Sequence, residues 1–139
     1  MAIDDIEYFE AWPFTPVAVR GRVIVERAIV REFVWQALAE GYLLRLHDGE
    51  RWSTRTTGDY MDIMRSLMGG ADEERLHVYA PGATAWTAPR WIGAVQLVYG
   101  GDGYDVIAEC TDAQELDGIL ARAMQLAERL EDQGAAVCL

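Results

Sequence analysis

The sequence predicts a single α+β domain over residues 1–139, in which about three helices cover an antiparallel sheet of four to five strands. Two turn signals, Asp48-Gly49 and residues 100–103, each separate runs of residues that are typical of paired strands. Apolar residues recur at helical spacing in three other segments. A chain of 139 residues with 51% hydrophobic residues can bury roughly two-thirds of its unfolded surface, so its core needs neither a metal nor a disulfide.

The first third of the chain begins with an expected irregular arm over residues 1–16, where two prolines lie beside aromatic side chains. Residues 17–23 alternate weakly and predict a short strand. Residues 24–40 predict a helix that is apolar on most of its circumference and must therefore be largely covered. We expect Gly41 to end this helix in the C′ position.

Residues 42–56 give the strongest local signal, a hairpin of two strands. Asp-Gly tolerates the positive φ angles of a type I′ turn, so the strands are expected to meet at Asp48-Gly49. A loop of two residues places Arg45 opposite Trp52, where the guanidinium group would lie against the indole ring.

The middle of the chain predicts a short methionine-rich helix over residues 59–68, with Thr57 or Asp59 as its N-cap. A strand over residues 75–79 follows. Residues 80–90 contain two prolines and small residues, which predicts an exposed loop.

The last third predicts a second hairpin, with strands over residues 91–99 and 104–110. Thr111 and Gln114 match a capping box, in which each side chain satisfies a free backbone amide at the start of a helix. That helix is expected to run to about Asp132 with one apolar stripe, packed on the sheet.

Charge limits the class of partner. The chain has 23 acidic and 12 basic residues, a net charge of −11, and all its basic residues are Arg. Without Lys, Schiff-base chemistry is excluded. The last 40 residues carry nine acids and two Arg. Because phosphate binding needs clustered cations, direct binding of nucleic acid is not expected. No apolar run is long enough to cross a bilayer and the start is acidic, so we expect a cytoplasmic protein without membrane contact.

Few residues favour an enzyme. His47 lies beside two carboxylates at a hairpin tip, where a structural turn is the favoured interpretation, and His77 lies in a predicted strand. Cys110 ends another strand and is predicted to be buried. A small enzyme or ligand-binding domain would require His47, His77 and Cys110 to converge with a nearby carboxylate, and this is the alternative hypothesis. No cofactor or metal motif is found.

The segment from Trp91 to Thr111, with the acidic helix after it, resembles small proteins of bacteriophages and other mobile elements. The Gly41-Tyr42 pair and the Asp48-Gly49-Glu50 turn add to this likeness. Those proteins have no assigned activity, so the resemblance implies an origin and no functional residue.

The leading hypothesis is therefore a non-enzymatic protein that engages a protein partner. Two features motivate it, an aromatic residue beside an Arg in the exposed loop and the carboxylates near the C-terminus. The candidate residues are Trp86, Arg90, Glu109, Asp112, Glu115, Glu128, Glu131 and Asp132. In a sharper form, the carboxylates take the place of phosphates on a nucleic-acid-binding host protein and inhibit it. The apolar tail over residues 133–139 suggests a homodimer as a further alternative. By default, Trp35 and Trp91 are assigned to the core.

Overall fold

The computed structural model describes residues 17–133, apart from residues 83 and 85. Within these residues the chain forms three helices and four strands, which confirms the predicted α+β class. The helices are α1 (Val17–Ala39), α2 (Tyr60–Ser66) and α3 (Gln114–Asp132), and the strands are β1 (Leu43–His47), β2 (Glu73–Ala80), β3 (Arg90–Val98) and β4 (Ile107–Cys110). The predicted arm over residues 1–16 lies outside the described residues, as does the predicted tail over residues 133–139 apart from Gln133.

The four strands form one antiparallel sheet in the order β1-β2-β3-β4. Alternate residues point to opposite faces, as the pleat requires. On one face the side chains are buried beneath the helices. They include Leu44, Leu46, Leu76, Val78, Val95 and Leu97. The other face carries partly exposed polar and aromatic side chains, and we call it the open face.

Helix α1 supplies the largest part of the core. Its Ile29, Val30, Phe33 and Val34 are fully buried, which agrees with the prediction that a helix this apolar is covered. Helix α3 packs its apolar stripe into the same cluster. It approaches β3 closely at Gly93, where an added Cβ would lie 3.0 Å from Leu116 Cδ2.

Helix α1 begins at Val17, so the strand predicted over residues 17–23 is wrong. Val23 and Glu26 are both buried and continue the covered side of the helix toward its start. Burial against the rest of the fold therefore decides that this segment is helical, although its weak alternation of apolar and polar residues is typical of a strand. The end of the helix is as predicted: Gly41 has φ +91°, its amide donates to Leu38, and the amide of Tyr42 donates to Ala37.

The capping box predicted at Thr111 is also wrong. The N-cap of α3 is Ala113, and its side chain makes no capping hydrogen bond. The Thr111 hydroxyl instead accepts from the Ala94 amide at 3.0 Å, while the Thr111 amide donates to the Ala94 carbonyl. Pairing with β3 therefore uses the side chain that the capping box would need.

Two buried carboxylates hold the turn between β3 and β4. Glu74 accepts a hydrogen bond of 2.6 Å from the Tyr99 hydroxyl and one of 2.7 Å from the Met68 amide. Glu26 accepts from the Gly100 amide at 2.9 Å. Burial raises the pKa of both carboxyl groups, and these hydrogen bonds partly oppose that effect.

Candidate functional site

The segment after β1 turns back more loosely than predicted. It forms two isolated bridges, His47 with Trp52 and Leu44 with Thr57, instead of a second strand. The turn is longer than two residues because the Asp48 carboxylate accepts from two successive amides, those of Glu50 and Arg51, each at 2.9 Å. These two hydrogen bonds also lower the pKa of the Asp48 carboxyl.

Trp52 is consequently opposite His47 and lies against the open face. The Arg45 guanidinium carbon is 3.9 Å from the centre of the indole, so the predicted contact between Arg45 and Trp52 is confirmed although the register differs. The rings of His47 and His77 lie 4.9 Å and 4.8 Å from the indole in edge-to-face arrangements.

Trp91 extends this cluster along the open face. Its indole N–H donates to Nδ1 of His77 at 3.0 Å, and its side chain is 49% exposed. The prediction that Trp91 and Trp35 belong to the core is wrong. Trp91 points away from the helices, and Trp35 is exposed on α1, where it meets the ring of Tyr60 edge-on at 6.5 Å.

The three residues of the enzyme hypothesis are divided between two faces of the sheet. His47 and His77 meet at Trp52 on the open face. Cys110 pairs with the buried residue Val95 and borders α3, on the helix side. Cys110 is exposed, so its predicted burial is wrong, because β4 lies at the edge of the sheet. Partial burial and the neighbouring carboxylates of Asp117 and Asp112 raise the pKa of its thiol.

The hydrogen bonds of the two histidines also determine which ring nitrogen carries the proton. Nδ1 of His47 accepts from the Gly49 amide at 3.0 Å, as Nδ1 of His77 does from Trp91. A neutral imidazole whose Nδ1 accepts carries its proton on Nε2. Both rings therefore present N–H donors to a ligand, and neither has a free lone pair for a metal or a substrate proton.

The two edges of the sheet differ. The edge of β1 is used by the returning segment, since Leu44 exchanges two backbone hydrogen bonds with Thr57 and the Ser53 amide donates to Leu46. Among the strands that the structure describes, β4 pairs with β3 alone, and residues 108–110 are exposed. Within the described part of the chain, β4 is thus the edge that is left open to another strand.

A groove of about 240 Å³ runs between this open edge and α3. Its apolar surface includes Ile107, Leu120 and Met124. Along α3, residues at alternating spacings of four and three share one strip beside the groove. They are Asp117, Ala121, Met124, Glu128 and Glu131, and all are exposed. We call this feature the β4–α3 groove.

The predicted interaction residues are not all found there. Glu109 and Asp112 belong to β4 and the turn after it, and Glu128 and Glu131 belong to the strip, with Asp132 beside it. Together with Asp117, these positions form a border of carboxylates along the β4–α3 groove.

Glu115 lies on the other side of α3, where it accepts from Arg90 at 3.2 Å and from the Tyr42 hydroxyl at 3.3 Å. Arg90 is thereby paired with a carboxylate of its own chain. Trp86 is 96% exposed in the loop between β2 and β3.

Sequence reasoning missed Asp117 and Arg75. The signal for the strip is the helical spacing of Asp117, Met124 and Glu128, which places these residues on one side of α3. Arg75 alternates with His77 along β2, so both point to the open face.

In the described residues, no three His, Cys, Asp or Glu side chains are arranged to hold a metal ion. None of the described helices has the length and apolarity needed to span a membrane. No protein-family model, curated protein or solved structure matches the chain.

Proposed function

We propose that this is a non-enzymatic interaction protein that binds an extended, basic segment of a protein partner along the β4–α3 groove. The observation that carries the proposal is the coincidence of three features at one place: a strand edge that no described residue pairs with, an apolar groove and a border of carboxylates.

The unpaired edge supports an extended partner. A peptide that adds to a sheet edge gains main-chain hydrogen bonds, and its alternate side chains point to the same face. Side chains on the helix side of such a strand would meet Leu120, Ala121 and Met124. The exposed thioether of Met124 adapts to different apolar side chains.

The carboxylates support a basic partner. Asp112 and Asp117 lie near enough to Cys110 to raise the pKa of its thiol, so they flank the edge strand directly. Arg122 of α3 does not neutralise this border, since it contacts Glu32 of α1 at 3.0 Å. A host protein that uses a basic segment to bind phosphates has the required chemistry, and occupation of that segment would inhibit it.

The test is a titration with a synthetic peptide that alternates arginine with valine over about eight residues, the length of an ordinary strand. We expect binding that weakens as salt is raised. The double variant Asp117→Asn/Glu128→Gln should weaken it roughly 2- to 30-fold, because each exposed ion pair contributes about 0.2 to 1 kcal/mol. The matched control Glu40→Gln/Glu50→Gln removes two exposed carboxylates elsewhere and should leave affinity unchanged.

A second arm separates strand addition from simple charge attraction. The same peptide with an N-methylated backbone keeps its charge and loses its N–H donors, so it should bind much more weakly. Equal affinity for the methylated peptide, or for a peptide with glutamate in place of arginine, would contradict the proposal.

A further inference from the structure

The centre of the open face carries four basic side chains in a two-by-two array. Arg45 of β1 is directly opposite His77 of β2, and His47 of β1 is directly opposite Arg75 of β2. Trp52 covers part of this group through its contacts with Arg45, His47 and His77. We call these four residues the basic array.

The array brings two guanidinium groups onto one small surface. Arg45 and Arg75 lie diagonally across the two strands, each opposite a histidine, and none of the four positions holds a carboxylate. Burial, followed by the charges of Arg75, His47 and Arg45, lowers the pKa of His77. Among the described residues, the charges that act on the His77 imidazole are those of these three basic side chains.

The free polar atoms of the array are all donors. Arg45 and Arg75 each use Nε for a hydrogen bond, to the Thr54 carbonyl and to Gln96 Oε1, which leaves the terminal N–H groups of their guanidinium groups. His47 and His77 present Nε2–H, as shown above. Exposed indole surface lies beside these donors, since Trp52 is 38% exposed and Trp91 is 49% exposed.

We infer that the basic array is a binding site for a small anion that carries a flat ring, such as a nucleoside monophosphate or an aromatic carboxylate. Its anionic group would accept from Arg75, Arg45 and the histidine Nε2–H groups, and its ring would stack on exposed indole surface. The ligand is small because carboxylates border the array. Asp48, Glu50, Glu73 and Glu109 line the same depression as His47 and Arg75, and they would repel a long polyanion.

The site is distinct from the β4–α3 groove, which is acidic and lies at the edge of the sheet. The experiment that tests the basic array therefore does not depend on the proposed interaction of the groove with a basic segment.

The experiment follows the indole N–H signals by NMR while adenosine monophosphate, benzoate, adenosine, inorganic phosphate or a single-stranded oligothymidylate of about ten nucleotides is added. We expect the signals of Trp52 and Trp91 to shift with the first two ligands, and both adenosine and inorganic phosphate to bind at least about tenfold more weakly than adenosine monophosphate.

Arg75→Gln should weaken binding of adenosine monophosphate by about fivefold or more, because it removes a charge-assisted hydrogen bond at a partly exposed site. Arg65→Gln removes an exposed Arg from α2 and serves as the matched control, with no change expected.

Three results would overturn the inference. Equal binding of adenosine and its monophosphate would show that no anion site exists. Tighter binding of the oligothymidylate than of the mononucleotide would identify a nucleic-acid surface instead. Unchanged indole signals with both anionic ring compounds would show that the array has no such ligand.

Discussion

The hydroxyl of Tyr99 is expected to contribute to stability in a way that depends on pH, because it donates to a buried carboxylate. Tyr99→Phe deletes the hydrogen bond of 2.6 Å to Glu74 and leaves that carboxylate, which is 2% exposed, with the Met68 amide as its remaining partner in the described chain. A hydrogen bond to a charged group contributes about 1.5 to 3 kcal/mol, so we expect a loss of about 2 kcal/mol at pH 7. For a domain of this size that corresponds to a decrease in Tm of roughly 6 to 10 °C.

The sign of the pH dependence follows from the raised pKa of Glu74. Because the folded protein holds this proton more tightly than the unfolded chain does, stability decreases as pH rises from the unfolded pKa to the folded pKa. Tyr99→Phe raises the folded pKa further. The difference between variant and wild type should therefore be largest at neutral pH and smaller near pH 4.5, the ordinary pKa of this group.

Urea denaturation of both proteins at the two pH values measures this difference, since effects of the other acids cancel between variant and wild type. Tyr42→Phe is the control, because it removes a hydroxyl that donates to the exposed carboxylate of Glu115 at 3.3 Å. It should cost less than about 1 kcal/mol. A Tyr99→Phe effect that is equal at both pH values, or no larger than that of Tyr42→Phe, would refute the reasoning.

Three further predictions concern single positions. The imidazole of His77 should titrate below pH 6.5 in an NMR titration, because burial lowers its pKa. The stability from its hydrogen bond to the Trp91 indole should be lost as pH falls through the pKa of His77 in the folded protein. Titration above pH 6.5 would contradict this prediction. In urea denaturation, Gly103→Ala should destabilise the protein by about 1 kcal/mol or more beyond the effect of Gly49→Ala. Both glycines have positive φ, but only the Cβ added at residue 103 would lie close to another side chain, 3.2 Å from Val25. Equal losses of stability would argue against crowding. In a Cys138→Ser background, the Cys110 thiol should react slowly with a disulfide reagent at pH 7, and Asp117→Asn should accelerate the reaction; an unchanged rate would contradict the assigned cause.

The fold class and the end of α1 follow from local sequence. Gly41 predicts the end of α1 because only a residue that tolerates positive φ fits there, and the signal is contained in the residue itself. Residues 100–103 likewise predict the turn between β3 and β4. The start of α1 could not be predicted in this way, since Val23 and Glu26 are recognisable as a buried helical side only once the sheet beneath them is known.

The candidate surfaces were harder to predict, because they depend on which face and which edge remain uncovered. An apolar strand such as β3 is expected to bury its tryptophan, yet Trp91 lies on the face without helices. Cys110 is exposed because β4 is an edge strand, and the order of strands in a sheet is not encoded in a short segment. The contact between Arg45 and Trp52 is predicted correctly although their pairing is not, because a short turn brings the two side chains within reach in either register.

Net charge is a poor guide to what the open face can bind. Screening at physiological ionic strength limits electrostatic influence to about 8 Å, so a small ligand at the basic array responds to the groups beside it. Among these, the charges of Arg75, His47 and Arg45 act on His77, while α3 and its carboxylates lie on the helix side of the sheet. A polyanion would extend past the array, and the carboxylates that border the array would repel it. The same acidity therefore disfavours a long polyanion more than a small anion, which contacts the array without reaching all of its bordering carboxylates.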